Sequence, residues 1–234
     1  MEPRWKQHSW DLSVEEAVSL QRQLAGQVDE TDGFDPETVR TVGGIDVSLK
    51  EGGQAAVAVL SLPDLTVVEQ VVASAPITFP YVPGLLSFRE APLILTALQH
   101  LRSLPDLLMV DGQGRAHPRR FGIACHIGVL TGLPSIGVAK SVLAGKYSDL
   151  GDEAGDTAPL LHRGETIGMA LRNRVRTNPL IISVGHRVSL PTAVAMVRQC
   201  SKGYRLPEPT RAAHRIAGTA AATPDSAEPA EPAG

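Results

Sequence analysis

At 234 residues, with 43% hydrophobic and 20% charged side chains, the chain is long enough for one well-filled core and too ordinary in composition for a fibrous or wholly disordered protein. Its two cysteines, Cys125 and Cys200, stand far apart and outside any C-x-x-C, which excludes a disulfide framework and a thiolate zinc knuckle and fits a reducing compartment. No apolar run reaches about 18 residues, and the start (Met-Glu-Pro-Arg-Trp) is no signal peptide, so a cytoplasmic protein without membrane attachment is expected.

In chain order, residues 11–27 read as an amphipathic helix. Asp11 or Ser13 can cap it, and Glu16 stands three after Ser13 as in a capping box. Three β-like runs follow at 41–49, 54–62 and 65–75, separated by turn signals at 51–53 (Glu-Gly-Gly) and 63–64 (Pro-Asp). Their spacing predicts an antiparallel meander. The stretch Phe-Pro-Tyr-Val-Pro-Gly-Leu-Leu-Ser-Phe-Arg-Glu at 79–90 comes next. Pro80 and Pro83 fix φ around Tyr81, and Gly84 permits a tight turn or a close approach to a ligand. This stiff aromatic tip leads straight into a helix at 86–102 that carries Glu90. A short buried strand at 107–110 ends at Asp111, a helix spans 121–131, and a strand at 135–139 ends at Lys140.

The Gly/Asp/Glu-rich segment 144–164 reads as loop. Strands are expected at 165–171 and 180–184, and helices at 191–202 and 208–217. The order implies an α/β domain over 1–217, with a mixed central sheet and helices on both faces, which matches a ribonuclease H-like fold. From 218 to 234 the composition turns to Ala, Pro, Glu and Thr, a tail too poor in apolar residues to order itself. The net charge of −3 is uneven: residues 163–215 hold ten Lys/Arg against two acids, a net of +8. Such a segment can face phosphates even in an acidic chain.

Three carboxylates stand where chemistry is expected. Asp46 lies inside an apolar strand, Glu90 sits in the helix after the Pro-Tyr-Val-Pro loop, and Asp111 ends the Leu-Leu-Met-Val run. An ionised group in an apolar run is costly unless paired or bound to metal. If the first and fourth strands are neighbours, Asp46 and Asp111 converge and Glu90 reaches the same place. Oxygen donors of this kind suit Mg²⁺, with Mn²⁺ as a substitute, and such a site suits metal-assisted phosphodiester hydrolysis. Lys140 could hold a phosphate or steady a water beside it. His117 lies on a loop and His214 in the last helix, inside the basic segment. His126 and His186 read as structural, and His8, His100 and His162 carry no signal.

Several motifs together resemble the endonuclease V family. They are Gly-Gly-Ile-Asp-Val-Ser at 43–48, Pro-Tyr-Val-Pro-Gly-Leu-Leu-Ser-Phe-Arg-Glu at 80–90 and Asp-Gly-Gln-Gly-Arg-Ala-His-Pro-Arg-Arg-Phe-Gly at 111–122. Shorter matches fall at 137–141, 183–186 and 203–211, and all stand in the family's order over roughly residues 9–216. The resemblance implies that Asp46 and Asp111 bind metal, that Glu90 is the third acidic catalytic residue, and that Lys140 and His214 belong to the active site. It implies that Pro80, Tyr81, Val82 and Pro83 form a wedge that enters the helix beside a lesion. Gly84, Leu86, Gly112 and Gly137 match positions around a pocket for the extruded base, and His117 falls among the residues expected to contact nucleic acid.

The implied activity is Mg²⁺-dependent cleavage at the second phosphodiester bond 3′ to hypoxanthine, as inosine or deoxyinosine, leaving 3′-hydroxyl and 5′-phosphate ends. A monomer acting on DNA, or on RNA, is expected. An inosine-specific endoribonuclease and another ribonuclease H-like, structure-specific nuclease are the alternative enzymes. The latter has no need of a proline-clamped tyrosine. A silent nucleic-acid-binding protein has no need of Asp46, Glu90, Asp111 and Lys140 together.

Overall fold

Alternating apolar residues between 41 and 74 fold as three antiparallel strands, β1 (Thr41–Ser48), β2 (Gln54–Ser61) and β3 (Thr66–Ser74). The computed structural model describes residues 5–6, 8–49 and 52–220. Helix α1 (Val14–Ala25) precedes them, closed by the expected capping box: Ser13 N–H donates to Glu16 Oε2 at 2.8 Å, and Glu16 N–H to Ser13 Oγ at 3.2 Å. After the meander come α2 (Leu86–Gln99), β4 (Leu107–Val110), α3 (Ile123–Thr131) and β5 (Ser135–Ala139). The chain then runs through β6 (Thr157–His162), β7 (Glu165–Leu171), β8 (Leu180–His186), α4 (Leu190–Gln199) and α5 (Glu208–Ala220).

The eight strands form one mixed sheet in the order β3-β2-β1-β4-β5-β8-β7-β6. β4 lies parallel to β1, and β5 parallel to β4. Both short strands are buried along their whole length, as expected for parallel strands covered on both faces. Ile45, Leu108 and Val110 pack against Ile94 of α2 and Ile127 of α3. On the opposite face, Val42, Met109 and Ile136 meet Ala193 and Val197 of α4, while Ala58 and Leu60 meet Ala212 and Ala213 of α5. Because side chains alternate along a strand, Asp46 shares the face of Val42 and Gly44, and Asp111 shares that of Met109. Both acids therefore emerge on the side of the sheet that α5 covers.

The segment 144–164 is not all loop. Its last third forms β6, an edge strand paired with β7, and Lys146 bridges to Leu161. Pro159 masks the strand in the sequence, but an edge strand tolerates proline, and Ala158 and Leu160 alternate inward as a strand requires. Helix α5 runs through Ala220, three residues past the expected end, so the tail boundary moves. The rest of the predicted tail, 221–234, lies outside the described residues. Among the described residues no helix is long and apolar enough to cross a membrane.

Gly44 decides how closely α5 can lie on β1. A Cβ added there would stand 1.9 Å from the carbonyl oxygen of Pro209, a fixed backbone atom. Gly44→Ala must push the start of α5 outward, and overpacking of this kind costs about 1–3 kcal/mol. Urea denaturation should report a loss in that range, together with a weakened His214–Asp46 contact. An unchanged midpoint would show that α5 is not held against the strand at this point.

Candidate active site

The parallel register of β1 and β4 builds the centre of the site. Ile45 pairs with Val110, and the Asp111 N–H donates to the Ile45 carbonyl at 2.9 Å, so Asp46 and Asp111 are neighbours one residue beyond that last β1–β4 pair. Both carboxylates are largely buried, with side-chain exposures of 13% and 10%. Lys140, just past β5, donates a hydrogen bond from Nζ to Asp111 Oδ2. His214 on α5 brings Nδ1 to 2.8 Å from Asp46 Oδ2. Ligand atoms of Asp46, Asp111 and His214 lie within 4.8 Å of one another.

Glu90 reaches the same region from α2, on the other side of the sheet. It is only 8% exposed. Burial, helped by the nearby negative charges of Asp46 and Asp111, pushes its carboxyl up to about 8. Burial also raises Asp111, with Lys140 pulling the other way. The fold therefore holds three mutually repelling carboxyls, with Lys140 and His214 hydrogen-bonded to two of them. The donor set fits a hard divalent cation, which prefers carboxylate oxygens and tolerates one imidazole. Asp46, Asp111 and His214 could hold it, with Glu90 beside them.

The Pro-Tyr-Val-Pro loop leads directly into the helix that carries Glu90. Phe79 is buried and anchors the loop's start, while Tyr81 is 69% exposed at its tip and Leu85 is buried at its end. Behind the tip lies a cavity of about 150 Å³, comparable to an engineered core cavity that takes up benzene. Tyr81, Val82, Pro83, Gly84, Leu86 and His117 line it. Pro80, Gly112 and Gly137 do not. A Cβ at Gly137 would meet Gly114 N at 2.3 Å, so that residue admits the 112–114 backbone against β5. A larger open groove, about 710 Å³, lies between 145–149 and β6. Its lining comes from segments that carry none of Asp46, Glu90 and Asp111, whereas the smaller cavity is lined by Ser87, three residues before Glu90, and Gln113, two after Asp111, so the smaller one is chemically relevant.

Gly84 takes a positive φ of 80° where the loop turns into α2, a conformation that favours glycine. Its carbonyl accepts from Gln21 Nε2 at 3.0 Å, His117 Nε2 at 3.1 Å and an Arg119 amine at 2.7 Å. His117 is no solvated loop residue: it is buried, and burial beside Arg119 holds its pKa at about 4. It is therefore neutral, with Nε2–H on Gly84 and Nδ1 accepting from Arg119 N–H at 3.1 Å. Sequence reasoning missed Gln21 and Arg119. Gln21 lies on α1, 63 residues from the loop it holds, and a polar residue within an amphipathic helix gives no local sign of such a contact.

The basic segment is partly consumed by structure. Arg187, Arg198 and Arg205 donate to backbone carbonyls, and Arg211 pairs with Glu208 and stacks on Tyr204. Arg172 binds the Gly151 and Thr177 carbonyls. Charge counting along the chain overstated the cations available to phosphates.

Against known proteins, a family model described as Endonuclease V matches residues 22–215. The endonuclease V of Trichormus variabilis is 50% identical over 216 residues, covering 91% of this chain and 97% of that protein. That of Roseiflexus castenholzii is 53% identical over 211 residues, covering 90% and 94%. Among solved structures, endonuclease V from Streptomyces avermitilis superposes with a TM-score of 0.86 at 43% identity, covering 91% of this chain and 94% of that one. Endonuclease V from Ciona intestinalis, in complex with a 23-mer DNA containing an inosine followed by a ribo-adenosine, has a TM-score of 0.80 at 27% identity. That match covers 90% of this chain and 99% of the other.

The raised Glu90 pKa has a consequence for stability in metal-free protein. Below about pH 4.5 the carboxyl is protonated both folded and unfolded; between 4.5 and about 8 only the unfolded chain ionises. Stability therefore falls as pH rises through that window, by about 1.4 kcal/mol per pKa unit. With a chelator present, Glu90→Gln should be more stable than wild type by a few kcal/mol at pH 8, with the gap closing towards pH 4.5. Urea denaturation at the two pH values checks this, and a constant gap would refute the assigned shift.

Proposed function

The chain belongs to the endonuclease V family, and from that membership we propose that it nicks nucleic acid at deaminated adenine, using a divalent cation. The base recognised is hypoxanthine, and the bond cut is the second phosphodiester 3′ to it, leaving 3′-hydroxyl and 5′-phosphate ends. The observation that carries this reading is the β1–β4 register. It sets Asp46 and Asp111 side by side, and Glu90, which reaches them from α2, stands about one helical turn after Leu86 and Ser87 on the cavity lining.

In this reading Tyr81 enters the stack beside the lesion and takes the place of the displaced base. Extrusion costs a few kcal/mol, least for a mispaired base, and stacking on an aromatic platform returns about 1–3 kcal/mol. Phe79 below the loop and the Gly84 carbonyl cluster behind it keep the tip from collapsing into the cavity. Asp46, Asp111 and His214 would hold Mg²⁺, or Mn²⁺ in its place, with Glu90 contributing its carboxylate. The cation supplies Lewis-acid activation of water and charge neutralisation at the leaving oxygen. Lys140, paired with Asp111 in the free protein, would release it and contact the phosphate. His214 orients the Asp46 carboxylate through its 2.8 Å hydrogen bond.

Deoxyinosine in DNA is the principal substrate proposed, acted on by a monomer in the cytoplasm. The ribo-adenosine after the inosine in the strand bound by the Ciona relative favours a second reading, cleavage of inosine-containing RNA. A nicking assay with matched inosine and adenosine strands of DNA and RNA under Mg²⁺ decides between them. Asp46→Ala and Asp111→Ala should each cost at least about a hundredfold in rate, some 2.7 kcal/mol of barrier. Tyr81→Ala should weaken binding to inosine strands far more than to plain ones. Metal-dependent nicking that survives both aspartate changes would remove the metal assignment, and equal losses on both strands would remove the wedge.

A further inference from the structure

The turn between β7 and β8 stands at the carboxylate end of the sheet. Leu171, the last residue of β7, pairs with Leu180, the first of β8, and Ile181 pairs with Ala139, the residue before Lys140. Asp46 and Asp111 lie at the same end of the parallel strands β1 and β4. Side chains tie the turn's backbone in place. Asn173 Nδ2 donates to Ser201 Oγ and to the Tyr204 and Arg205 carbonyls, at 2.8, 3.1 and 2.9 Å. Arg172 donates to the Thr177 carbonyl, and Thr177 Oγ1 to that of Arg174, each at 2.8 Å. Arg205 joins the turn to the acidic site: Nε donates to the Asn178 carbonyl at 2.8 Å, and a terminal amine donates to the Lys140 carbonyl.

What this fixed turn presents to solvent is cationic. Arg174, Val175 and Arg176 are all exposed. Among the described residues neither Arg174 nor Arg176 has a side-chain hydrogen bond or an ion pair. The surrounding cations are spent. Arg172 binds the Gly151 and Thr177 carbonyls and lies 3.7 Å from Asp152, the nearby acid. Lys202 donates to the Asp64 carbonyl at 2.6 Å, and Arg211 holds Glu208. Two free guanidinium groups two residues apart therefore stand on a backbone that needs no further ordering. Guanidinium groups match phosphate oxygens with paired hydrogen bonds, and a preformed backbone lowers the entropic cost of using them.

The fold also gives this turn a place along the strand. The cavity lies on the face of the sheet that α2 and α3 cover, while Asp46 meets His214 on the α5 face. The turn is tied to residues 201–205, between α4 and α5, on that second face. A strand with its base in the cavity and its cleaved phosphate at the carboxyls thus runs onward, in the 3′ direction, to Arg174 and Arg176. We propose that these two arginines bind backbone phosphates on the 3′ side of the cut. The inference rests on the nuclease reading above and adds the path of the strand to it. Contacts to phosphate fix position and carry no base preference, so this site holds any sequence alike.

The test is the salt dependence of binding to single strands, without divalent cation so that no strand is cut. Arg174→Gln/Arg176→Gln should flatten the slope of log affinity against log salt by about 1.4, two phosphate contacts at about 0.7 each. Between about 50 and 200 mM salt, wild type then loses about sevenfold more affinity than the variant. The change should be the same on inosine and adenosine strands, and lysine at both positions should restore most of the slope. Arg163→Gln is the control. Arg163 is also exposed and without a side-chain partner among the described residues, but it stands in the β6–β7 turn at the opposite end of the sheet. Shortening the 3′ flank to one nucleotide past the cut should bring wild type to the variant's slope, while shortening the 5′ flank should preserve the difference. An unchanged slope, an equal effect of Arg163→Gln, or a difference that vanishes with the 5′ flank would overturn the proposal. Failure of wild type to prefer inosine strands would strike the hypoxanthine reading and the strand path with it. An unchanged slope beside a normal inosine preference strikes this inference alone.

Discussion

Three carboxyl groups crowded at the ends of two parallel strands are the constraint on which the rest of the site depends. Asp46, Asp111 and Glu90 come from β1, the residue after β4, and α2, and nothing in ordinary core packing would bring them together. Burial first, and the charges of Asp46 and Asp111 second, raise the ionisation of Glu90. Lys140 and His214 hydrogen-bond two of the three, and both depend on distant placements: the end of β5, and an α5 that can touch β1 because Gly44 has no side chain. The cost of this cluster to the fold is the signature of a place kept for a cation.

Recognition is built onto the same elements. Helix α2 carries Leu86 and Ser87 on the cavity and Glu90 in the acidic cluster, within little more than one turn. The segment after Asp111 returns to the cavity at Gln113 and His117, and the one after Lys140 returns at Leu143. In the proposed function, displacement of a base into the cavity would therefore be mechanically tied to the placement of a phosphate at the carboxyls. The loop is tied down at Gly84, where Gln21, His117 and Arg119 converge on the carbonyl.

Much of this was legible in the sequence. Buried carboxylates betray themselves when apolar residues surround them, and two prolines around a tyrosine signal a rigid tip, so Asp46, Glu90, Asp111 and Tyr81 stood out. Strand β6 did not, because Pro159 and acidic neighbours mask a pattern that only edge position permits. The arginines of 163–215 looked available because charge counting cannot see carbonyl partners. His8 gave no signal, yet its Nε2 lies 2.8 Å from Nε2 of His126, a histidine 118 residues away. Hydrogen-bond direction depends on partners joined by tertiary structure, and no local pattern records it.

Thermal unfolding of wild type and of Asp46→Asn/Asp111→Asn, each with and without Mg²⁺, tests the central claim most directly. A ligand at a hundred times its Kd stabilises by about 2.7 kcal/mol, so wild-type Tm should climb with Mg²⁺. The asparagine variant should start higher than wild type in chelator, because its repulsion is gone, and should not respond to the cation. A wild-type Tm indifferent to Mg²⁺, or an equal rise in both proteins, would contradict the account.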